Sequence, residues 1–271
     1  MTPERVGFIG AGHLANAMIR GFITSGYLDP GQIVISDVDD GRLREVHETL
    51  GPAIATSNLH NAERCDVLFL AAKPAQIVPI AEEIQPAMGP GKLVISVAAG
   101  TSLARVHAAL GDEPTVCRIM PNLAVGVRRS TIGLYADESL TEDALQPIYA
   151  LLSQLGKVFR IHDEGQMAAI TALSGSAPAY YVMMAEALVN YGVSQGMPEQ
   201  LVAEMILSTM EGTAAWARQA KVPLGPLWRR VVTAGGTTEA GTRFYEEKGF
   251  LEIFVEGLAR STERARELGD R

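Results

Sequence analysis

Val6-Gly7-Phe8-Ile9-Gly10-Ala11-Gly12-His13-Leu14-Ala15 decides the fold of this 271-residue chain. The apolar run Val6 to Ile9 suits a buried strand, and it ends in glycines. Leu14, Met18, Ile19, Phe22 and Ile23 then recur at helical spacing. The stretch reads as strand, tight turn and helix. Such a turn aims unpaired backbone N–H groups and the positive end of a helix at an anion. Gly10 and Gly12 permit the turn and let a pyrophosphate approach the backbone, and Ala15 stands where a third small residue lets helix lie on strand. A structural turn can carry the same letters. Placement between a strand and a helix favours the dinucleotide reading.

Further strands follow in the pattern of an open α/β sheet. Gln32 to Ser36 reads as the second strand, ended by Asp37 about 25 residues past Gly12, where an acid holds the ribose hydroxyls of NAD and repels the 2′-phosphate of NADP. Asp37-Val38-Asp39-Asp40 is equally good capping chemistry for the next helix, so both roles stay open. Val67 to Leu70 is apolar throughout, as a doubly covered parallel strand requires, and Lys73-Pro74 ends it. Leu93 to Val97 is ended by Ala98-Ala99-Gly100, small residues that leave room for a ligand at a strand's carboxyl end. Thr115 to Met120 is closed by Pro121-Asn122. Ile132 to Tyr135 and Lys157 to Ile161 are expected as outer strands, with a helix over 141–155 between them. Strands alternating with helices predict a doubly wound, mostly parallel sheet.

The character of the chain changes near His162. Beyond it the pattern is all-helical: 163–191, 198–220, a short piece near 227–232, 237–247 and 250–268. Pro198 suits a first helical turn, and Pro178 should kink or break the first long helix. The domains expected are 1–162, dinucleotide-binding, and 163–271, helical. Helices over 167–189 and 201–210 are apolar on most faces, more than a small monomeric domain can bury, which predicts a homo-oligomer.

Composition bounds the partners. Hydrophobic residues make up 47% of the chain, enough for a sizeable core, and the formal net charge is −8. With no basic arm, nucleic acid is not an expected partner. Cys65 and Cys117 stand far apart in no Cys-x-x-Cys pattern and read as reduced thiols of a cytoplasmic protein. The histidines have no metal-ligand spacing, so no metal is expected, and the N-terminus shows no signal-peptide pattern. The stretch 165–185 carries no formal charge. Its Gln166, Thr171, Ser174 and Pro178, with Glu186 directly after, favour a helix buried in protein over a membrane span.

A second anion site is expected at Thr233-Ala234-Gly235-Gly236-Thr237-Thr238. Two glycines and two threonines at a helix start offer N–H groups and hydroxyls to a carboxylate without Arg or Lys, although a loop with a threonine cap reads the same. Ser174, within Leu173-Ser174-Gly175-Ser176, has no histidine arranged as in a nucleophile elbow and is not read as a hydrolase serine.

With these residues in view, the chain resembles the pyrroline-5-carboxylate reductase family along nearly its whole length. The N-terminal signs are Gly10-Ala11-Gly12, Ala71-Ala72-Lys73-Pro74, Ala98-Ala99-Gly100 and Arg118-Ile119-Met120-Pro121-Asn122. The more specific signs are the block Thr171 to Tyr180 and Gly235-Gly236-Thr237-Thr238. The resemblance implies a Rossmann domain, a helical C-terminal dimerisation domain and a substrate pocket shared by two subunits. It implies a cofactor, NADP or NAD in reduced form, with Ile9, Gly10, Ala11, Gly12, His13 and Leu14 at the pyrophosphate. Asn58 and Ala71, Ala72, Lys73 and Pro74 would lie at the adenosine side and linking phosphates, Ala98, Ala99 and Asn122 would also bind the cofactor, and the nicotinamide would lie over the sheet's carboxyl edge. Thr233 and Gly235 to Thr238 would take the carboxylate and imine of the substrate, and Glu164 matches an acidic position near the family's pocket, although a helix-start acid reads the same. The chain departs from the family at His13 (usually Asn or Gln), Leu123-Ala124 (usually Thr-Pro), Ala168 (often Asp), Ala177 (Gly), Thr233 (Ser) and Ala234 (Pro). Val38 follows Asp37 where members preferring NADPH often carry Arg.

The reaction implied is hydride transfer to the C=N carbon of a cyclic imino acid, giving proline. It needs positioning more than covalent chemistry. Thr238 would orient the imine nitrogen; a hydroxyl is a poor acid, so the imine should arrive protonated or take its proton from water. Three other readings stand beside this one. A β-hydroxyacid dehydrogenase shares the architecture but wants a catalytic Lys on the first long helix, and there is none between His162 and Gln219. A reductase of another cyclic imine, and a non-catalytic dinucleotide-binding paralogue, are separated from it only by turnover.

Overall fold

In the computed structural model, residues 3–138 and 140–269 are described. Eight strands form one sheet: β1 (Val6–Ile9), β2 (Ile33–Ser36), β3 (Ala53–Ile54), β4 (Val67–Leu70), β5 (Leu93–Ser96), β6 (Thr115–Met120), β7 (Ser130–Ala136) and β8 (Gly156–Ile161), in the spatial order 3-2-1-4-5-6-7-8. Helices α1 (His13–Thr24), α2 (Asp40–Leu50), α3 (Asn58–Arg64), α4 (Pro74–Ile84), α5 (Leu103–Leu110) and α6 (Glu142–Leu152) connect them. All neighbouring pairs are parallel except β6 and β7. β3 was not expected; two residues after Gly51-Pro52 are too short to carry a periodic signal.

The alternation of side chains across each strand builds two cores, one on each face. Phe8, Ile33, Ile35, Phe69, Ile95 and Ile119 face one way, with Met18, Ile19 and Phe22 of α1 among them. Val34, Leu68, Leu70, Val94 and Val116 face the other way, with Ile77 and Ala81 of α4 and Val106 of α5. Phe8 and Phe69 stack at 4.7 Å between ring centroids. A parallel sheet covered on both faces explains why these strands are apolar at successive positions.

By packing, the chain forms two compact units, Met1–Ser176 with Ala259–Arg271, and Ala177–Leu258. The change of composition at His162 and the change of packing at Ser176 therefore do not coincide. The stretch expected as one helix over 163–191 is broken into a 3-10 turn (Glu164–Gln166), α7 (Met167–Ile170), a π-turn (Thr171–Gly175) and α8 (Ala177–Ser194). Pro178 is the reason: it lacks an N–H, and its ring would collide with the carbonyl four residues back, so it is admitted only in a first turn. The Ser176 N–H reaches past the α-helical partner to the Thr171 carbonyl at 2.8 Å. The second unit holds α8, α9 (Glu199–Ala220), α10 (Leu224–Arg229), α11 (Thr237–Glu247) and the start of α12 (Phe250–Gly269). α10 begins at Leu224, earlier than the 227–232 expected, because Pro223 takes its N-cap position. Pro198 likewise takes the N-cap of α9 rather than its first turn. Val182, Met183 and Leu207 are each about 60% exposed. No helix among the described residues is long and apolar enough to cross a membrane.

Candidate active site

Strand register assembles the site. Ile9 lies level with Ser36 on one side and Leu70 on the other, and Leu70 lies level with Ser96. The loops beginning at Gly10, Asp37, Ala71 and Val97 therefore leave the sheet along one edge. The strand order reverses between β1 and β4, the switch point where ligands of doubly wound sheets bind. A cavity of about 670 Å³ opens there. Its wall carries Ile9, Gly10, Gly12, His13, Leu14, Asp37, Asn58, Ala71 to Pro74, Ala98 and Ala99, all expected from the sequence.

Gly10 is required by its backbone. Its φ is +105°, and a Cβ there would stand 2.5 Å from the Ala71 carbonyl oxygen. Its N–H bonds the Ser36 carbonyl at 2.7 Å, while Ala71 N–H bonds the Ile9 carbonyl at 2.8 Å, so the turn continues the sheet's own ladder. Gly12 is the N-cap of α1 and offers no side-chain cap, and the first turn holds no acid. Nothing lies within 4 Å of where its Cβ would be. The first N–H groups of a twelve-residue helix thus face open space with no internal anion. That observation fits the pyrophosphate of a nicotinamide dinucleotide.

Ala11 and Asn122 are not on the cavity wall. Ala11 is buried, and its N–H donates to Asp37 Oδ2 at 2.7 Å. Asn122 caps the turn after β6: its Oδ1 accepts the Ala124 N–H, and its Nδ2 donates to the Ser174 carbonyl at 3.2 Å. Asn58 accepts from Ser36 Oγ at 2.9 Å and donates to Glu83 at 2.8 Å. The two readings of the acidic stretch belong to different residues: Asp37 turns to the glycine loop, and Asp39 caps α2 through Gly41 and Arg42 N–H. Val38 lines the cavity too, at the position where NADPH-preferring members of the resembled family often carry Arg; Asp39, Arg42, Gln76, Ile80, Val97 and Leu268 also line it and were not expected. Arg42 was discoverable as the first-turn cation of a capped helix. Leu268 carried no signal, since only packing brings the end of α12 to this edge.

In the second unit, Thr233 to Gly236 precede α11. Gly235 has φ +71° and is exposed, and Gly236 is an N-cap without side-chain capping. The Gly236 N–H closes on the Thr233 carbonyl at 2.9 Å. The Gly235 N–H is not open: Glu239 Oε2 accepts it at 2.8 Å. An anion does sit on this loop, and it is the chain's own. Thr237 is exposed, and Thr238 is half-buried in the first turn.

Glu164 lies in the first unit. It pairs with Arg118, which is buried, and accepts the Leu103 N–H at 2.7 Å, tying the start of α5 to β6. Both line a separate cavity of about 410 Å³. Burial, with Glu164 nearby, pushes the Tyr135 hydroxyl above its ordinary pKa.

Fold and site together define a nicotinamide-dinucleotide-binding protein of the Rossmann class carrying a further helical unit. Residues 164–268 match the pyrroline-5-carboxylate reductase dimerisation family, and residues 5–100 match the family described as NADP oxidoreductase, coenzyme F420-dependent. The chain is 31% identical over 270 residues to a pyrroline-5-carboxylate reductase of Pseudomonas aeruginosa, covering all of this chain and 98% of the relative. The solved pyrroline-5-carboxylate reductase of Coxiella burnetii superimposes with a TM-score of 0.84 at 31% identity, over 99% of both chains. The Plasmodium falciparum pyrroline carboxylate reductase, solved with NADP bound, superimposes with a TM-score of 0.90 over 99% of both chains; at 22% identity it shows the fold. The chain belongs to the pyrroline-5-carboxylate reductase family.

Proposed function

We propose that this chain reduces 1-pyrroline-5-carboxylate to L-proline, the last step of proline synthesis, using NADH or NADPH. The reduced nicotinamide supplies the hydride. The observation that carries the reading is 31% identity, over the whole chain, to a reductase of this name, with the uncapped α1 N-terminus at the sheet's switch point in support.

The chain's own residues then have these roles. Gly12, His13 and Leu14 receive the pyrophosphate on backbone N–H groups at the start of α1, while the Gly10 N–H stays on the Ser36 carbonyl and the Ala11 N–H on Asp37. Ala98 and Ala99 leave room at the carboxyl edge of β5. Thr233 and Gly235 to Thr238 bind the substrate carboxylate, and the Thr238 hydroxyl orients the imine nitrogen. Glu164 acts on the pocket through Arg118 and the start of α5. The working division is 1–162 for the dinucleotide and 163–271 for substrate and self-association. The protein works as a homodimer or higher homo-oligomer in the cytoplasm, without nucleic acid or membrane. Support comes from the dimerisation match and from the apolar residues that α8 and α9 leave exposed.

The test is steady-state oxidation of NADH and NADPH, followed at the nicotinamide absorbance, with 1-pyrroline-5-carboxylate as substrate. Turnover with either nucleotide is expected. A folded protein that binds nucleotide but turns over neither would move the activity to another cyclic imine or leave a non-catalytic binding protein.

A further inference from the structure

The ribose end of the cavity is built around one immobilised carboxylate. Asp37 Oδ2 accepts the Ala11 N–H at 2.7 Å, and Oδ1 accepts the Asp39 N–H at 2.9 Å. Asp37 therefore cannot turn away without leaving two backbone donors unpaired. A carboxylate offers about four lone-pair sites, so each oxygen keeps one for a ligand. Two free acceptors side by side match the two O–H donors of a vicinal diol. A phosphate there brings negative charge against a fixed negative charge and has no proton to donate at neutral pH.

The cations at this end compensate a phosphate only in part. Arg42 is in the first turn of α2 and lines the same wall. Asp39, the N-cap of α2, accepts Gly41 and Arg42 N–H through Oδ1 and faces Arg42 Nε through Oδ2 at 3.4 Å. The Arg42 side chain is half exposed, so the pair is weak in water, but it keeps the guanidinium beside a second carboxylate. Val38, between the two acids, is 89% exposed and offers no side-chain donor. Lys73 follows β4, on the far side of β1 from Asp37, about two strand spacings or roughly 10 Å away in the sheet. The Asn58 amide already donates to Glu83.

We propose that this pocket selects NADH over NADPH. Asp37 reads the free 2′,3′-diol of the adenosine ribose, and Asp39 partly offsets the charge that Arg42 would offer a 2′-phosphate. The proposal rests on the dinucleotide reading of the cavity, not on the identity of the imine.

The test is direct binding of NADH and of NADPH to the full-length protein by calorimetry, with kcat/KM measured alongside. The wild type binds NADH at least about 10-fold more tightly, as a fixed like charge facing a phosphate requires. Asp37→Ser lowers that ratio by about 10–100-fold, through weaker NADH and stronger NADPH binding. Adding Asp39→Ser keeps a helix cap and frees Arg42. NADPH then gains a further factor of about 3–10 that shrinks as salt is raised. Wild-type protein that binds NADPH as tightly as NADH, or an Asp37→Ser ratio equal to that of wild type, overturns the proposal. If Asp37→Ser does not fold, the wild-type ratio and Asp39→Ser alone decide it. Binding of NADH without imine turnover defeats the substrate reading and leaves this one standing. A folded wild type that binds neither nucleotide overturns both.

Discussion

Thr238 makes no side-chain hydrogen bond among the described residues, and its hydroxyl is free to meet a ligand. Thr238→Val keeps shape and removes that group, so kcat/KM should fall by about 10–100-fold, or ~1.4–2.7 kcal/mol; an unchanged value would remove Thr238 from the chemistry. Glu239 now occupies the Gly235 N–H that a substrate carboxylate needs. Glu239→Gln removes a competing charge, and we expect KM for the imino acid to fall about 2–10-fold with kcat little changed, since one charge-assisted hydrogen bond is at stake. A raised KM would show that Glu239 helps to shape the loop instead. The glycines and threonines of this loop were legible in the sequence. Its occupation by Glu239 was not, because a side chain folding back four residues depends on the rotamer and not on the letters.

At the scale of the element, the N-terminus of α1 carries the clearest separation of stability from function. Gly12 has φ −71° and ψ −179°, ordinary extended geometry that Asp adopts, with nothing near its Cβ position. Gly12→Asp supplies the missing side-chain N-cap and leaves folding stability equal or higher by about a few tenths of a kcal/mol. It also places a carboxylate where the pyrophosphate binds, and dinucleotide affinity should fall by about 100-fold or more. Thermal unfolding and calorimetric binding on the same sample check both halves; a stable variant with wild-type affinity would displace the pyrophosphate from this helix end. Every strand but the two-residue β3 was readable from the apolar pattern, and β1, β6 and α11 coincide with the expected spans. The π-turn at 171–175 was not readable: Pro178 announced a break, but which donor would meet the Ser174 carbonyl it leaves without an N–H depended on packing, which brought the Asn122 amide there at 3.2 Å.

Two predictions belong to the whole molecule. The exposed apolar side chains of α8 and α9 should be covered by a second copy, so light scattering should report at least twice the 29.0 kDa chain mass. Leu207→Arg, at a position 59% exposed, should weaken association without lowering the helical circular dichroism. A monomeric wild type would leave these faces unexplained by self-association. Cys65 and Cys117 are both fully buried, and burial pushes each thiol up to about 12. An unfolded thiol ionises near its ordinary 9.0. Between these values the unfolded chain releases protons that the folded chain keeps, so stability is intact below about pH 9 and falls as pH rises towards 12. The urea midpoint should drop across that window, less steeply in Cys65→Ala/Cys117→Ala, and native thiols should resist labelling at pH 8. Equal slopes in the two proteins would assign the loss to other groups.

Local chemistry written in consecutive residues was decided by the sequence alone: the glycine turn after β1, the doubly buried strands, the acid after β2, the Gly-Gly-Thr-Thr helix start and the family itself. These need only neighbours along the chain, where backbone geometry and side-chain period dictate the outcome. Tertiary structure alone decided which groups meet. It set Asp37 on the Ala11 N–H, split the two acids between loop and helix cap, engaged Asn122 with Ser174 and brought Leu268 to the cofactor edge. Each of these contacts joins residues through the register of the sheet or the packing of a distant helix. Such a partner is chosen by space left over after the core has closed, a quantity that no short stretch of residues contains.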